Sequence, residues 1–272
     1  MIGRAIGHGF VVARDFVAHG LVRLGVSPNM LTLTGTLLTL VAGVTLALGA
    51  GAGFAPTLDP GPPGAYAPNA YLLLTGVLLI LCSAGDMLDG AVARIGRSAT
   101  TFGAFLDSTL DRLSDFVIFT GIAFYFATRH NLTHTFLPVL AAFAGLMISY
   151  TRARAEDLIQ SCTVGYWQRG ERIAAVIIAV FAHNVPALIW QQALSPLFTV
   201  WARIDYTRKV AAGRTVETDP RKTGRWWDRL RLWRYPRMTL AYDLLTGANI
   251  AFLIFAPIPP EYDPISRVLG LR

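Results

Sequence analysis

Charge is scarce in this chain, and cysteine scarcer still. Of 272 residues only 15% are charged while 53% are hydrophobic, and the apolar residues fall in long blocks instead of alternating. That excludes an ordinary soluble domain and predicts an integral membrane protein with helical spans. The two cysteines, Cys82 and Cys162, lie in different segments without metal-ligand spacing. A disulfide framework and a zinc site are thereby excluded, and both read as small packing residues. Residues 51–69, rich in Gly and Pro, contain no Lys or Arg, so the positive-inside rule puts this loop outside. No internal repeat or low-complexity stretch is visible. The net charge of +7 falls where cytoplasmic loops are expected, which favours anionic lipid over nucleic acid as its counterpart.

What is present is organised around one stretch, DMLDGAVARIGRSATTFGAFLDSTLD, from Asp86 to Asp111. It holds two carboxylate pairs, Asp86 with Asp89 and Asp107 with Asp111. Spacings of three and four residues put each pair on one helix face, so two adjacent helices could aim four carboxylates at one point. That is the outline of a divalent metal site, since clustered carboxylates are hard ligands suited to Mg²⁺ or Mn²⁺. In apolar surroundings ionisable groups are costly and mark function. Asp115 continues the Asp107 and Asp111 face, and a supporting role is expected of it.

Taken in order, the chain begins with an amphipathic run, Ile2 to Leu24, with Ile6, Phe10, Val17, Leu21 and Leu24 near one face and Arg4, Arg14 and Arg23 around the other. A helix lying in the interface is expected over 1–26. Ser27, Pro28 and Asn29 then start a first span, Leu31 to about Gly49. A second span, about Ala70 to Ala84, delivers Asp86 and Asp89 to the cytoplasmic face, and Gly90 to Thr101 reads as a short connection. The third helix runs from near Thr101 to Ala127, with an outer loop at Asn131 to Thr135. The fourth runs from Phe136 to about Tyr150 and ends in SYTRARAE. A fifth from Glu171 to about Ala182 and a sixth from Ala187 to Ile204 complete an all-α membrane bundle of six transmembrane helices over 27–206. From Arg203 to Arg237 come eleven Lys and Arg, interleaved with Trp226, Trp227 and Trp233. Residues 207–239 thus read as a basic cytoplasmic segment anchored among headgroups, with no nucleic acid partner. Within 240–272, the apolar run Leu240 to Pro257 is either a seventh span or a re-entrant piece.

The arrangement DxxDGxxARx8Gx3Dx3D, formed by Asp86, Asp89, Gly90, Ala93, Arg94, Gly103, Asp107 and Asp111, resembles the signature of the CDP-alcohol phosphotransferase (phosphatidyltransferase) family at every defining position. The resemblance extends over roughly Ser27 to Arg208 and includes the Pro28-Asn29 start of the first span. It implies transfer of a phosphatidyl group from CDP-diacylglycerol to a hydroxyl with release of CMP, at an active site facing the cytoplasm. It further implies two divalent ions, Mg²⁺ or Mn²⁺, held by Asp86, Asp89, Asp107 and Asp111, with Asp111 as base. Gly90, Arg94, Gly103 and Asn29 would bind the CDP moiety. A homodimer is implied by the resemblance alone.

Within the family, SYTRARAE followed twenty residues later by the arginine of QRGER is similar to phosphatidylinositol phosphate synthases. That implies inositol phosphate as acceptor, with Arg152, Arg172 and Arg203 on its phosphate. Guanidinium forks suit such a group. Glycerol 3-phosphate or another small alcohol is the nearest alternative. An ion-coupled transporter using intramembrane aspartates is the rival of another class, and it lacks the paired broken helices and repeats such proteins show.

Overall fold

The computed structural model describes residues 2–50, 70–216 and 240–271. Its elements are α1 (Ile2–Arg23), α2 (Pro28–Gly49), α3 (Ala70–Ile95), α4 (Thr101–Ala127), α5 (Leu132–Glu156), α6 (Arg169–Phe181), α7 (Val185–Leu194), α8 (Pro196–Ala211), α9 (Leu240–Phe255) and α10 (Pro264–Val268). No strand occurs among the described residues.

Local chemistry sets where the helices begin. Ser27 accepts a hydrogen bond from the Met30 amide, and Pro28 fills the first turn of α2, where a missing N–H costs nothing. Thr100 caps α4 by accepting from the Gly103 amide at 2.9 Å, and Asn131 caps α5 by accepting from the His134 amide at 2.9 Å. Pro196 lacks the amide hydrogen that would continue α7, and α8 starts there.

Three helices, α2, α3 and α5, are long and apolar enough to cross a membrane. The protein is accordingly an integral membrane protein. α4 is as long as these but carries Asp107, Asp111, Arg112 and Asp115.

α2 is the central staff, packed on both α3 and α4. Along it Thr32, Thr36, Thr39 and Thr45 are buried, and each hydroxyl is satisfied within reach of its own helix or of α3. Among apolar neighbours such local satisfaction lets polar side chains pack without an orphaned group. Where α2 crosses α4, a methyl group added to Gly121 would collide with the Gly43 carbonyl, so the two backbones touch directly. Leu46, Leu72, Leu79, Ile118, Ile122 and Phe126 fill the core around this crossing.

Several boundaries differ from the sequence expectation. α3 does not end at the aspartates but continues through Ile95, so Gly90 and Arg94 are helical and the connection shrinks to residues 96–100. Gly90, read as a loop glycine, has helix formers around it that carry it along. α5 begins at Leu132, four residues before the expected start at Phe136, because Asn131 caps it, and it runs on through Arg152 and Arg154 to Glu156. The sixth helix is two, broken at Ser195. The last apolar run forms one continuous helix, α9, which is shorter than α2, α3 and α5 and packs on α6 and α7. The loop 51–69 and most of the basic segment, with Trp226, Trp227 and Trp233, lie outside the described residues.

Candidate active site

The helical hairpin α3–α4 carries all four signature aspartates, Asp86 and Asp89 near the end of α3 and Asp107 and Asp111 in the first three turns of α4. A connection of five residues, reversed through Arg97 at φ 50°, forces those two helix ends together. α2 supplies the third wall. Its Thr32 hydroxyl donates to Asp89 Oδ2 at 2.9 Å, and a Cβ on Gly35 would stand 3.7 Å from Asp86 Oδ1.

A fourth helix enters at the same point. Arg169, the first residue of α6, places Nη1 2.5 Å from Asp86 Oδ2 and Nη2 2.8 Å from Asp111 Oδ1. One guanidinium thus joins a carboxylate of α3 to one of α4. Its Nε is buried with no hydrogen-bond partner. Among the described residues no three carboxylates are gathered as a ready metal site, and this side chain stands between two of the four. In chemistry the set still fits a hard divalent ion: four carboxylates from two helices, with positive charge already drawn to their midpoint.

Asp89 and Asp107 open onto a cavity of about 210 Å³, whose walls include Asn29, Thr32, Gly90 and Gly103. The Cβ of any other residue at Gly90 would meet nothing within 4 Å and would project into free space, whereas at Gly103 it would press on Asn29 Oδ1 at 3.2 Å and Thr100 Oγ1 at 3.0 Å. Three of the four residues expected on the nucleotide therefore share one cavity. Arg94, exposed on the last turn of α3, is not among its walls.

The three arginines expected on the acceptor phosphate have unequal surroundings. Arg152 is exposed on the last turn of α5 and pairs with Glu156 at 2.9 Å. Arg172 is buried, with Nη2 2.5 Å from Asp115 Oδ2 and its Nε unpartnered. Gly145 of α5 lies against that pair, where a Cβ would stand in ordinary contact, 3.5 Å from the Arg172 Nε. Arg203 is fully buried and donates to the Val164 and Ile148 carbonyls and to Gln168 Oε1. It stands within electrostatic range of Arg152 and Arg172.

Two residues that touch the aspartates, Arg169 and Thr32, are absent from the set drawn from sequence. For Arg169 a signal existed: it lies three residues before Arg172 at the start of an apolar helix, hence on the same side. For Thr32 none did, because a threonine in a hydrophobic span reads as packing.

The sequence profile of CDP-alcohol phosphatidyltransferases matches residues 25–203. The chain belongs to this family. Among curated relatives, archaetidylinositol phosphate synthase of Methanothermobacter thermautotrophicus is 38% identical over 172 residues, 63% of this chain and 74% of that protein. Phosphatidylinositol phosphate synthase of Mycobacterium tuberculosis is 31% identical over 208 residues, 75% of this chain and 85% of that one. The crystal structure of the latter enzyme in complex with manganese and citrate is 25% identical and superposes with a TM-score of 0.58, over 75% of this chain and 93% of that chain. Its structure with CDP-DAG bound, at 24% identity and a TM-score of 0.60 over 75% and 98% of the two chains, shares the fold. The phosphatidyltransferase match ends at Arg203, within α8, so α9 and α10 lie beyond it.

Proposed function

We propose that this phosphatidyltransferase moves a phosphatidyl group from CDP-diacylglycerol to the hydroxyl of inositol phosphate and releases CMP. The observation that carries the reading is the single cavity on which Asp89, Asp107, Asn29, Gly90 and Gly103 converge, one turn from Asp86 and Asp111. The relatives, an archaetidylinositol phosphate synthase from an archaeon and a phosphatidylinositol phosphate synthase from a mycobacterium, support the choice of acceptor.

In this reading Asp86, Asp89, Asp107 and Asp111 would hold two divalent ions, Mg²⁺ or Mn²⁺, which supply neutralisation of the diphosphate and of the leaving CMP. The chain's own groups do the rest. Gly90 leaves the cavity wall bare for close approach of the nucleotide. Asn29, held against Gly103, offers an amide to it, and Arg94 can swing from the exposed turn toward a CDP phosphate. Asp111 takes the proton of the attacking hydroxyl. Arg172 and Arg152 receive the acceptor phosphate. Arg203, whose donors are engaged within the protein, adds positive potential from behind and fixes Gln168 at the head of α6.

The active site is proposed to face the cytoplasm, with α1 in that interface. Ala18, Leu21 and Val22 seat α1 on the end of α3, while Val12, Phe16 and Leu24 are left exposed for lipid. The proposed units are the interfacial helix 1–26, the membrane domain 27–206, the basic segment 207–239 and the C-terminal segment 240–272. A homodimer is part of the same reading.

The test is CMP release by the purified protein in CDP-diacylglycerol micelles with Mg²⁺, offered inositol 1-phosphate, free inositol, glycerol 3-phosphate and serine separately. Release with inositol phosphate alone is expected. Release only with glycerol 3-phosphate would keep the aspartate site and reassign the arginines, and no release with any acceptor or metal would reject the reading.

A further inference from the structure

A site built from four carboxylates faces a difficulty whenever it holds no metal. Clustered negative charges repel, and in apolar surroundings water screens them poorly. Arg169 meets that difficulty with unusual geometry. Its two terminal nitrogens go to carboxylates of different helices, Asp86 of α3 and Asp111 of α4, at 2.5 and 2.8 Å. Its third donor, Nε, is buried and satisfied by nothing. Arg203, which bonds to the α6 N-cap residue Gln168, instead uses all three of its side-chain nitrogens on fixed protein acceptors.

The start of α6 gives the side chain freedom to leave. The N-cap residue, Gln168, makes no side-chain bond to the first turn. Its amide is spent instead on the Gly165 carbonyl and on Arg203. No capping box locks the residue that follows, and Arg169 can leave by turning about its own side-chain bonds, with the helix unmoved.

We propose that Arg169 is a built-in counter-ion: its guanidinium binds Asp86 and Asp111 and competes for those carboxylates with the metal they would hold. This rests on the metal reading given above. A singly charged fork holds the two helices together until a doubly charged ion displaces it, and its return closes the site when the ion leaves. Metal entry therefore works against two charge-assisted hydrogen bonds.

The test is Mn²⁺ binding to the full chain in detergent without lipid substrate, followed by the electron paramagnetic resonance of free Mn²⁺. Three variants are compared with the parent: Arg169→Gln, Arg169→Lys and Asp86→Asn. If Arg169 competes, Arg169→Gln binds Mn²⁺ about tenfold more tightly, roughly the value of one good charged hydrogen bond. Arg169→Lys, which keeps the charge, stays within about threefold of the parent. Unchanged or weaker binding by Arg169→Gln, with Asp86→Asn impaired, would overturn the counter-ion and leave the metal site standing. Unchanged binding in Asp86→Asn as well would overturn both. Should Arg169→Gln unfold without metal, the unmodified protein decides the matter through phenylglyoxal labelling mapped by mass spectrometry. Saturating Mn²⁺ should make Arg169 several-fold more reactive, and equal or lower reactivity would overturn the proposal.

Discussion

Asp115 lies one turn beyond Asp111, and its partner is Arg172 of α6, with neither side chain well exposed. A buried pair of this kind is costly to break from one side, because the survivor keeps its charge without compensation. Asp115→Ala is expected to cost about 3–5 kcal/mol, and Asp115→Ala combined with Arg172→Met to cost less than the single change. Thermal unfolding of the three proteins in one detergent checks the order. Asp111 differs, being the proposed proton acceptor. Asp111→Asn should lower turnover by at least about a hundredfold while CDP-diacylglycerol still binds, as equilibrium binding of the lipid would show. At this scale the sequence was legible where chemistry needs a rare residue in a greasy place. The four aspartates stood out in that way, whereas Asn29, Gly90 and Gly103, which share a cavity with Asp89 and Asp107, entered only through the family resemblance. The partners of Arg172 and Arg203 were not, because a pairing across 57 or 39 positions of chain depends on how helices cross.

At the scale of elements, the crossing of α2 over α4 decides where both aspartate pairs stand. Adding one methyl group at Gly121 strikes the backbone of Gly43, which has no side chain to move aside. Gly121→Ala should therefore destabilise by about 1–3 kcal/mol and reduce activity together with it. Gly247→Ala on α9, where a Cβ meets nothing within 4 Å, serves as the neutral control in the same melt. Helix existence was plain from hydropathy and from the Ser27-Pro28 start. Helix ends were not. α3 and α5 overrun their apolar stretches at their C-terminal ends because Arg, Ala, Met and Glu are good helix formers whether or not lipid surrounds them. The division of α7 from α8 was signalled by Ser195-Pro196.

For the molecule as a whole, Asp263 ties the C-terminal segment to the bundle. Its carboxylate accepts from the Leu132 and Thr133 amides at 3.1 and 3.0 Å and from the hydroxyls of Thr133 and Ser266 at 2.7 and 2.5 Å. Asn131 and His134 add bonds to the Pro260 carbonyl. Burial alone would raise the Asp263 pKa, but these donors outweigh it and hold the carboxylate well below its usual range. A depressed folded-state pKa contributes stability above the unfolded value near 4 and loses it as pH falls. Asp263→Ala should thus lower the melting temperature at pH 7, and the gap from the parent should shrink on acidification below about pH 4. None of this was legible beforehand, since an aspartate between prolines in a tail reads as a turn. Its consequence reaches the perimeter of the protein. With Leu253 sunk into the core beside α6 and Tyr242 bonded to Glu171, α9 takes the flank of α6 for itself. That flank is therefore already covered from within the chain, while α2 and α5 still present leucine, valine and phenylalanine outward.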